Sequence, residues 1–310
     1  MDPAHPRDPA HPERRADEVG PESRDEVGPK SRGELPRSVG IVGLGLMGAS
    51  LARALKAADP AIRVVGVEPA EGIRTRAVAD GVADEVAAAP GPALAGCDLA
   101  ILCTPVAAVE ALLGPVAALL PDGAILTDVA GAKERLVALA RERVRAGVRY
   151  VGTHPMFGGH GGYDAARADR WRGGTVAITT DGDAAAVDRV AALHERLGAK
   201  TIRCTAAEHD AAVAMVSHLP YLVASALALA AEEAGPLAKA LAGPGLRDTT
   251  RVAEFPFDIQ GEVSRRNARL PEAAARLQRH LADVLGAIAE SPEAARAALE
   301  RARAARKELF

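Results

Sequence analysis

The sequence predicts an α/β protein in which a doubly wound, parallel sheet is followed by an all-helical domain. Three features support this prediction. Short apolar runs alternate with helical segments from residue 38 to residue 207, which is typical of a parallel sheet covered by helices on both faces. A glycine-rich turn follows the first of these apolar runs. The chain beyond residue 207 has a helical pattern rich in Ala and Leu.

The first 37 residues have the composition of a disordered tail. The unit "DPAHP" is repeated there and "DEVGP" occurs twice, so proline, glycine and charged residues dominate. Such a segment has too little apolar surface to form a core, and we expect it to be disordered. The predicted domains are therefore residues 38–207, which contain the sheet, and residues 208–310, which contain the helices.

The first predicted strand and helix surround a GxGxxG motif. In "SVGIVGLGLMGASLARALKA" an apolar strand at 39–42 is followed by three glycines and then by a helix. Glycines at this spacing permit a tight turn, the approach of backbone to a pyrophosphate, and close packing of helix on strand. We expect a Rossmann-type nucleotide site whose backbone contacts come from Gly43, Gly45, Leu46, Met47 and Gly48.

An acidic residue ends the second predicted strand, "RVVGVE". Glu68 follows Gly48 by twenty residues, which is where a carboxylate accepts hydrogen bonds from the adenosine ribose. Because a carboxylate repels a 2′-phosphate, Glu68 favours NAD over NADP, although Arg74 and Arg76 lie close enough in sequence to weaken that preference. The next predicted strands are "LAILCTP", whose Thr104 and Pro105 we assign to the cofactor site, and "AILTD".

Composition and charge exclude several classes of protein. The 310 residues are 48% hydrophobic and 25% charged, and a net charge of −3 gives no reason to expect a nucleic-acid or membrane-surface partner. The three cysteines form no CxxC pair, which argues against a disulfide framework and a zinc knuckle. We identified neither a signal peptide nor an apolar run of membrane-spanning length, so a cytoplasmic location is expected.

The second half begins with two more predicted strands, "TVAITT" and "AKTIRC", and then becomes helical. The helix starting at His209 is hydrophobic around its whole circumference, which predicts a partner subunit that covers it and hence a homodimer. Pro220 should kink this helix. Ser217, His218 and Tyr221 lie at the kink, either as the wall of a pocket or, for His218, as a histidine packed in the core.

A histidine also follows the predicted strand 149–153, in "GTHPMFGGHGGY". His154 has three possible roles, as a packed side chain, a metal ligand or the base of a reaction. A metal site shared with His160 is disfavoured because no carboxylate or third histidine lies beside them at a ligand spacing. We therefore expect no metal.

Several motifs in series resemble the prephenate/arogenate dehydrogenases of tyrosine biosynthesis. They are "GIVGLGLMGASLARAL", "TDVAGAKE", "GTHPMFGG", "EHDAAVAMVSHLPY" and "LRDTTRVAE", and they cover residues 38–285 approximately. The resemblance implies NAD-dependent oxidative decarboxylation of prephenate to 4-hydroxyphenylpyruvate. It further implies that His154 is the base and that Arg251 binds a substrate carboxylate. Ser217, His218 and Tyr221, at the predicted pocket wall, are our further candidates for binding substrate.

Three positions depart from the family pattern. Gly131 stands where the family usually has a serine, Tyr221 replaces the second histidine of SHLPH, and His160 takes a place where some members have glutamate. Arogenate therefore stays open as the substrate, and so does a non-catalytic NAD-binding relative. A 3-hydroxyacid dehydrogenase is a more distant alternative, because its catalytic lysine lies in the helical half whereas Lys133 lies in the first half, and no DxPVSGG stretch is present.

Overall fold

An eight-stranded sheet forms the first half of the protein. A computed structural model describes residues 35–159 and 161–309 of the chain. The strands are β1 (Ser38–Val42), β2 (Arg63–Val67), β3 (Glu85–Ala87), β4 (Leu99–Leu102), β5 (Ile125–Asp128), β6 (Arg149–Pro155), β7 (Thr175–Thr179) and β8 (Lys200–Cys204). Their order in the sheet is β3-β2-β1-β4-β5-β6-β7-β8.

The chain reverses its direction of travel across the sheet at β1. Strands β2 and β3 are added on one side of β1, and β4 then pairs with the other side, in parallel. In an open α/β sheet, ligands bind in the crevice at such a switch point, outside the carboxyl ends of the two central strands. The residues that follow β1 and β4 are therefore placed at a ligand-binding position.

The sheet differs from the prediction in two places. β7 runs antiparallel to β6, with His154 opposite Ala177, and β8 pairs in parallel with β7. The sheet is thus mixed rather than wholly parallel, since its last two strands run against the other six. The second difference is β3, a three-residue edge strand that the sequence analysis did not identify because its pattern is too short to recognise.

Helices cover both faces of the sheet. They are α1 (Leu46–Ala58), α2 (Glu71–Ala79), α3 (Val106–Leu119), α4 (Glu134–Arg143) and α5 (Ala184–Arg196). Two cores result, one on each face. Leu51, Leu55 and Trp171 are fully buried in the first core, and Leu113 and Leu126 are fully buried in the second.

The second half of the chain is helical, as predicted. It contains α6 (Ala206–Val213), α7 (Leu219–Glu233), α8 (Pro236–Leu241), α9 (Pro244–Thr250), α10 (Glu262–Arg266), α11 (Leu270–Glu290) and α12 (Pro292–Leu309). A π-helical turn, Ala214–His218, joins α6 to α7 and ends just before Pro220. The sequence predicted a kink at this proline, which has no N–H to donate. The structure has the wider π-helical turn at this place in the helix.

The joined helix Ala206–Glu233 corrects one expectation from the sequence. It is 28 residues long and contains an 18-residue window with a mean hydropathy of 1.7, so by length and composition it qualifies as a membrane span. Length and composition do not separate a membrane span from a helix that another protein surface covers. In this fold the helix carries buried polar side chains, including His209, Asp210 and His218, that are hydrogen-bonded to neighbouring elements.

The predicted tail lies almost wholly outside the described residues, as does His160. Leu35, the first described residue, packs against the first core, and the backbone N–H of Arg37 donates to Asp98. The described residues fall in one compact unit. The division into domains at residue 207 stays a prediction.

Leu51 provides a test of the first core. It is fully buried on α1, so we expect Leu51→Ala to lower the free energy of unfolding by roughly 2–5 kcal/mol, through lost burial and the cavity left behind. Denaturant titration followed by circular dichroism measures this change. Val78→Ala, at a position 49% exposed on α2, is the control and should cost less than about 0.5 kcal/mol. Equal losses in the two variants would contradict the assigned packing.

Candidate active site

The crevice between β1 and β4 is shaped by the three glycines of the motif. Gly43 has φ +94°, a conformation that L side chains rarely adopt, and its N–H donates to Val67 at 2.7 Å. A Cβ at Gly48 would overlap the carbonyl oxygen of Gly43, so only glycine permits this approach of α1 to β1. A Cβ at Gly45 would meet nothing within 4 Å and would occupy the crevice itself.

The N-terminus of α1 is free to receive an anion. Gly45 is the N-cap residue, no side chain caps the helix, and the first turn contains no acidic residue. Among the described residues, neither a side-chain cap nor an acidic residue of the first turn competes for the N–H groups of Leu46, Met47 and Gly48, which lack intrahelical partners. Phosphate groups bind at helix ends of this kind.

Residues after β4 form the opposite wall of the crevice. The side-chain oxygen of Thr104 is buried and has no hydrogen-bond partner within the described part of the chain. Pro105 is the N-cap residue of α3. A buried hydroxyl without a partner is rare in folded proteins, and a bound polar group would satisfy it. The glycine turn, the open helix end and this hydroxyl together fit a dinucleotide.

Glu68 lies at the end of β2, where the sequence analysis placed the ribose-binding carboxylate. Its two carboxylate oxygens accept hydrogen bonds from the backbone N–H groups of Leu44 and Ala70, each at 3.0 Å, and the residue is 8% exposed. These bonds hold the carboxylate beside the glycine turn. Each oxygen retains a further lone pair for a ligand hydroxyl.

The two arginines near Glu68 have different partners. Arg74 donates to the backbone carbonyl of Glu68 at 3.1 Å and so stays beside it. Arg76 is paired with Asp164, and its guanidinium carbon lies 4.9 Å from the centre of the Tyr163 ring. The Arg76 guanidinium is therefore directed towards Asp164 and Tyr163.

A buried ion pair lies beneath the neighbouring part of the sheet. Lys133 and Asp128 are both fully buried and paired with each other, and the Tyr150 hydroxyl donates to the second carboxylate oxygen of Asp128 at 2.6 Å. Burial lowers the pKa of Lys133, whereas the Asp128 carboxylate opposes that change. Lys133 therefore acts as a structural cation and is not free to react with a ligand.

His154 lies within β6, because that strand continues two residues beyond the predicted end. The residue is half-buried, and its Nδ1 lies 2.9 Å from Nε2 of His209. Its other nitrogen, Nε2, lies 3.4 Å from the position that a Cβ on Gly131 would occupy. One face of the imidazole is thus tied to a second histidine, and the other faces the glycine that replaces the family's serine.

His209 is held in turn by a buried carboxylate. Its Nδ1 lies 2.7 Å from Oδ1 of Asp210. That oxygen also accepts the backbone N–H of Lys133 at 2.8 Å, while Oδ2 accepts the N–H of Glu134 at 2.9 Å. Asp210 therefore stabilises the N-terminus of α4 and anchors a chain of two histidines that ends at Nε2 of His154.

The predicted substrate residue His218 is fully buried next to this chain. Its Nδ1 lies 3.0 Å from the Asn267 amide, while its Nε2 has no hydrogen-bond partner among the described residues. Burial lowers its pKa to about 4, so the ring is neutral near pH ~7. Ser217, the preceding residue, accepts hydrogen bonds from Gln260 through its carbonyl and hydroxyl oxygens.

The electrostatic environment keeps His154 neutral. Burial lowers its pKa well below the usual 6.5, and the neighbouring His209, Lys133 and His218 act in the same direction. A neutral imidazole with a lone pair is the form that accepts a proton. The site therefore holds its candidate base in the active form at neutral pH.

Arg251 and Tyr221 lie in the helical half without hydrogen bonds to His154 in the described structure. Arg251 is exposed and begins a 3₁₀ turn, Arg251–Glu254, directly after α9, and this turn packs against α7. Tyr221 is half-buried on α7, and its carbonyl accepts the Ser225 hydroxyl. Their assignment to substrate stays a prediction.

Sequence reasoning missed the residues that support His154. His209, Asp210 and Asn267 were not proposed as site residues, although the first two lie within a motif quoted for the family resemblance. The available signal was a charged and an aromatic polar residue side by side in an otherwise apolar helix. Across residues 35–159 and 161–309, no group of three or more His, Cys, Asp and Glu side chains is arranged to hold a metal ion.

The buried ion pair gives a stability test of this region. In Lys133→Met the Asp128 carboxylate would stay buried without its cation, and we expect a loss of roughly 3–5 kcal/mol in the free energy of unfolding. Denaturant titration measures this loss. Arg203→Met, which breaks an exposed pair with Asp188, should cost about 1 kcal/mol or less. The double variant Lys133→Met/Asp128→Asn should recover much of the loss, and failure to do so would contradict the charge argument.

Comparison with known proteins places the chain in a family. The nucleotide-binding domain of the prephenate dehydrogenases matches residues 51–203, and the dimerization domain of the same family matches residues 205–296. A prephenate dehydrogenase of Lactococcus lactis is 34% identical over 221 residues, which are 69% of this chain and 60% of that protein. The chain therefore spans less than two thirds of the length of this relative.

Two further relatives have different names. A cyclohexadienyl dehydrogenase of Zymomonas mobilis is 30% identical over 240 residues, which are 75% of this chain and 81% of that protein. The crystal structure of Synechocystis arogenate dehydrogenase has a TM-score of 0.77 at 30% identity, covering 88% of this chain and 100% of that chain. The chain belongs to the prephenate/arogenate dehydrogenase family.

Proposed function

We propose that this protein is an NAD-dependent dehydrogenase that oxidises and decarboxylates prephenate, forming 4-hydroxyphenylpyruvate and carbon dioxide. The observation that carries the proposal is the arrangement at His154. Its Nδ1 is engaged by His209, its Nε2 faces Gly131, and its pKa is lowered so that Nε2 accepts a proton at neutral pH. The family membership and the dinucleotide-shaped crevice supply the rest of the argument.

The substrate carries a hydroxyl on the ring carbon that is oxidised and a carboxylate on the opposite ring carbon. Bound NAD supplies the acceptor for the hydride that leaves the carbinol carbon. His154 takes the hydroxyl proton through Nε2, which lets the oxygen form a carbonyl as the hydride departs. The bond to the carboxylate then breaks, its electrons enter the ring, and aromatisation drives the loss of carbon dioxide.

The remaining residues bind and orient. Arg251, an exposed guanidinium beside α7, is our candidate partner for a substrate carboxylate, a task suited to its two parallel N–H donors. His218, Ser217 and Tyr221 are candidates for the helical wall of the substrate site. Because Gly131 offers no hydroxyl, the contact that serine makes in the family must come from another group or be absent.

Arogenate is the second candidate substrate, favoured by the likeness to the Synechocystis enzyme. It differs from prephenate by an amine in place of the side-chain ketone. A 3-hydroxyacid dehydrogenase is disfavoured because Lys133 is fully buried in its pair with Asp128. Following NADH absorbance with prephenate, arogenate and a 3-hydroxyacid in parallel separates these functions. If none of the three substrates is oxidised, a non-catalytic NAD-binding relative is the remaining candidate.

The proposed assembly is a homodimer formed through the helical half. Large apolar side chains on α7, α8 and α11 are more than half exposed in one protomer, among them Leu229, Leu237, Leu281 and Leu285. Exposed apolar surface of this extent marks an interaction site, and the matched family domain is a dimerization domain. A cytoplasmic location accords with the unpaired Cys97, Cys103 and Cys204.

His154→Asn tests the base. We expect the fold and NAD affinity to persist while kcat falls by roughly 10²–10⁴, the usual contribution of general base catalysis. Because the pKa of His154 lies well below 6.5, wild-type kcat/KM should stay constant through pH 6.5 and fall only at lower pH, as the imidazole becomes protonated. Steady-state rates across pH measure both effects.

Arg251→Ala is the contrasting variant. Loss of a carboxylate partner should mainly raise KM and leave the acid limb of the pH profile in place, since the base remains. A His154→Asn enzyme with near-normal kcat would remove His154 from the mechanism.

Cofactor choice tests Glu68. With the Glu68 carboxylate held beside the glycine turn and Arg76 paired with Asp164, we expect kcat/KM with NAD to exceed that with NADP by at least roughly tenfold, about 1.4 kcal/mol. Glu68→Gln should narrow the ratio because the repulsion of a 2′-phosphate is lost. Comparable efficiency of the wild type with both cofactors would contradict the role of Glu68.

Light scattering tests the dimer. At micromolar concentration the mass should be about twice 31.9 kDa. Leu285→Glu, which places a charge on the exposed apolar side of α11, should weaken the dimer, whereas Val78→Glu on α2 should not. A wild-type monomer at that concentration would contradict the proposed interface.

A further inference from the structure

The two ring nitrogens of His154 are not equivalent, and the proposed reaction needs one of them without a proton. A neutral imidazole carries its proton on either Nδ1 or Nε2, and the hydrogen bond at one nitrogen decides the state of the other. The structure contains a chain of contacts that decides it, which runs from Asp210 through His209 to His154.

The chain starts at a carboxylate that can only accept. Oδ1 of Asp210 takes the backbone N–H of Lys133 at 2.8 Å, and Oδ2 takes the backbone N–H of Glu134 at 2.9 Å. Both oxygens are therefore acceptors, and the residue is fully buried, away from competing water. His209, at 2.7 Å from Oδ1, must then donate its Nδ1–H to this carboxylate.

The proton on Nδ1 of His209 determines where His154 carries its proton. When His209 carries a single proton, that proton is on Nδ1, and Nε2 presents a lone pair. The nitrogen 2.9 Å away, Nδ1 of His154, must therefore carry a hydrogen and donate it. Neutral His154 is then without a proton at Nε2, the nitrogen that faces Gly131.

We propose that Asp210 and His209 are positioning residues that hold His154 in the tautomer with a free lone pair on Nε2. The consequence for catalysis rests on the proposed function, in which Nε2 takes the substrate proton. When it does so, the imidazolium of His154 donates to His209, and the Asp210 carboxylate lies at the end of the same chain. Neither positioning residue touches the substrate.

Neighbouring residues hold Asp210, His209 and His154 in this arrangement. Asn267 donates to the backbone carbonyl of Asp210 at 2.7 Å, which holds the second half of α6. His209 is 3% exposed. The other charged or titratable groups that face His154 are Lys133, whose ammonium is paired with Asp128, and neutral His218. Neither of these offers a hydrogen bond to Nδ1 of His154, so His209 alone sets its proton.

Nitrogen-15 NMR of histidine-labelled full-length protein tests the tautomer without any turnover. The nitrogen chemical shifts separate a protonated from an unprotonated ring nitrogen, and the signals of His154 are those lost in His154→Asn. Near pH ~7.5 we expect an unprotonated Nε2 and a protonated Nδ1 for His154. A protonated Nε2 in the wild type would overturn the proposal.

Two variants test the chain itself. In Asp210→Asn the side-chain amide nitrogen donates and cannot accept, so it faces the donors of His209 and α4 without satisfying them. In His209→Gln the side-chain amide can either donate to Nδ1 of His154 or accept from it. Both changes should give His154 a protonated Nε2 in at least part of the population. If Asp210→Asn fails to fold, the His154 tautomer in His209→Gln is the test of the proposal. Wild-type tautomer signals in every folded variant would overturn the proposal.

Kinetics then tie the tautomer to the reaction. Replacing an orienting Asp by Asn in a hydrolase triad costs roughly 10⁴ in kcat through the wrong tautomer. Here an imidazole intervenes, and we expect kcat with prephenate to fall at least ~10-fold with KM changed less than about threefold. Asp188→Asn, an exposed site on α5, is the matched control and should change neither tautomer nor kcat.

The two proposals fail in different ways. A wild-type enzyme that turns over neither prephenate nor arogenate would contradict the proposed function and leave the tautomer measurement standing. A tautomer that changes in the variants without any change in kcat would remove Nε2 of His154 from the proton transfer. Unchanged signals in an active enzyme would contradict the positioning role alone.

Discussion

The buried carboxylate of Asp210 accepts hydrogen bonds from two elements of the fold and thereby joins its two halves. From the sheet half it takes the first N–H groups of α4, and from its own helix it takes the ring of His209. A carboxylate removed from water is stable only if its oxygens are satisfied in this way. The position of α6 against the sheet, and with it the position of the histidine chain, therefore depends on this one group.

The buried carboxylate of Asp128 is likewise satisfied by donors from its surroundings. Its carboxylate meets the ammonium of Lys133, the hydroxyl of Tyr150 and the backbone N–H of Ala130, all inside the fold. The two carboxylates meet at Lys133, whose backbone binds Asp210 while its side chain binds Asp128. The segment that carries Gly131 is thus held at both ends, which fixes the distance between Gly131 and His154.

The nucleotide crevice and the histidine chain place different demands on the sequence. The crevice is shaped mainly by backbone, so it requires a glycine at position 48, where a Cβ would overlap the Gly43 carbonyl, and, among the described residues, no side-chain cap on α1. The chain at His154 is formed by side chains whose hydrogen-bonding sequence decides which nitrogen carries a proton. The first arrangement depends on local geometry, whereas the second depends on residues far apart in sequence.

That contrast also separates what the sequence by itself determined from what the tertiary structure decided. The strand–helix alternation, the glycine turn, Glu68 and the helical second half were predictable because each is encoded by periodicity or spacing within about thirty residues. The antiparallel β7, the short β3 and the contacts of His154 with His209 were not. The two strand features depend on which strands pair in the folded sheet. The histidine contact joins residues 55 positions apart in sequence, and only folding brings Nδ1 of His154 within 2.9 Å of Nε2 of His209.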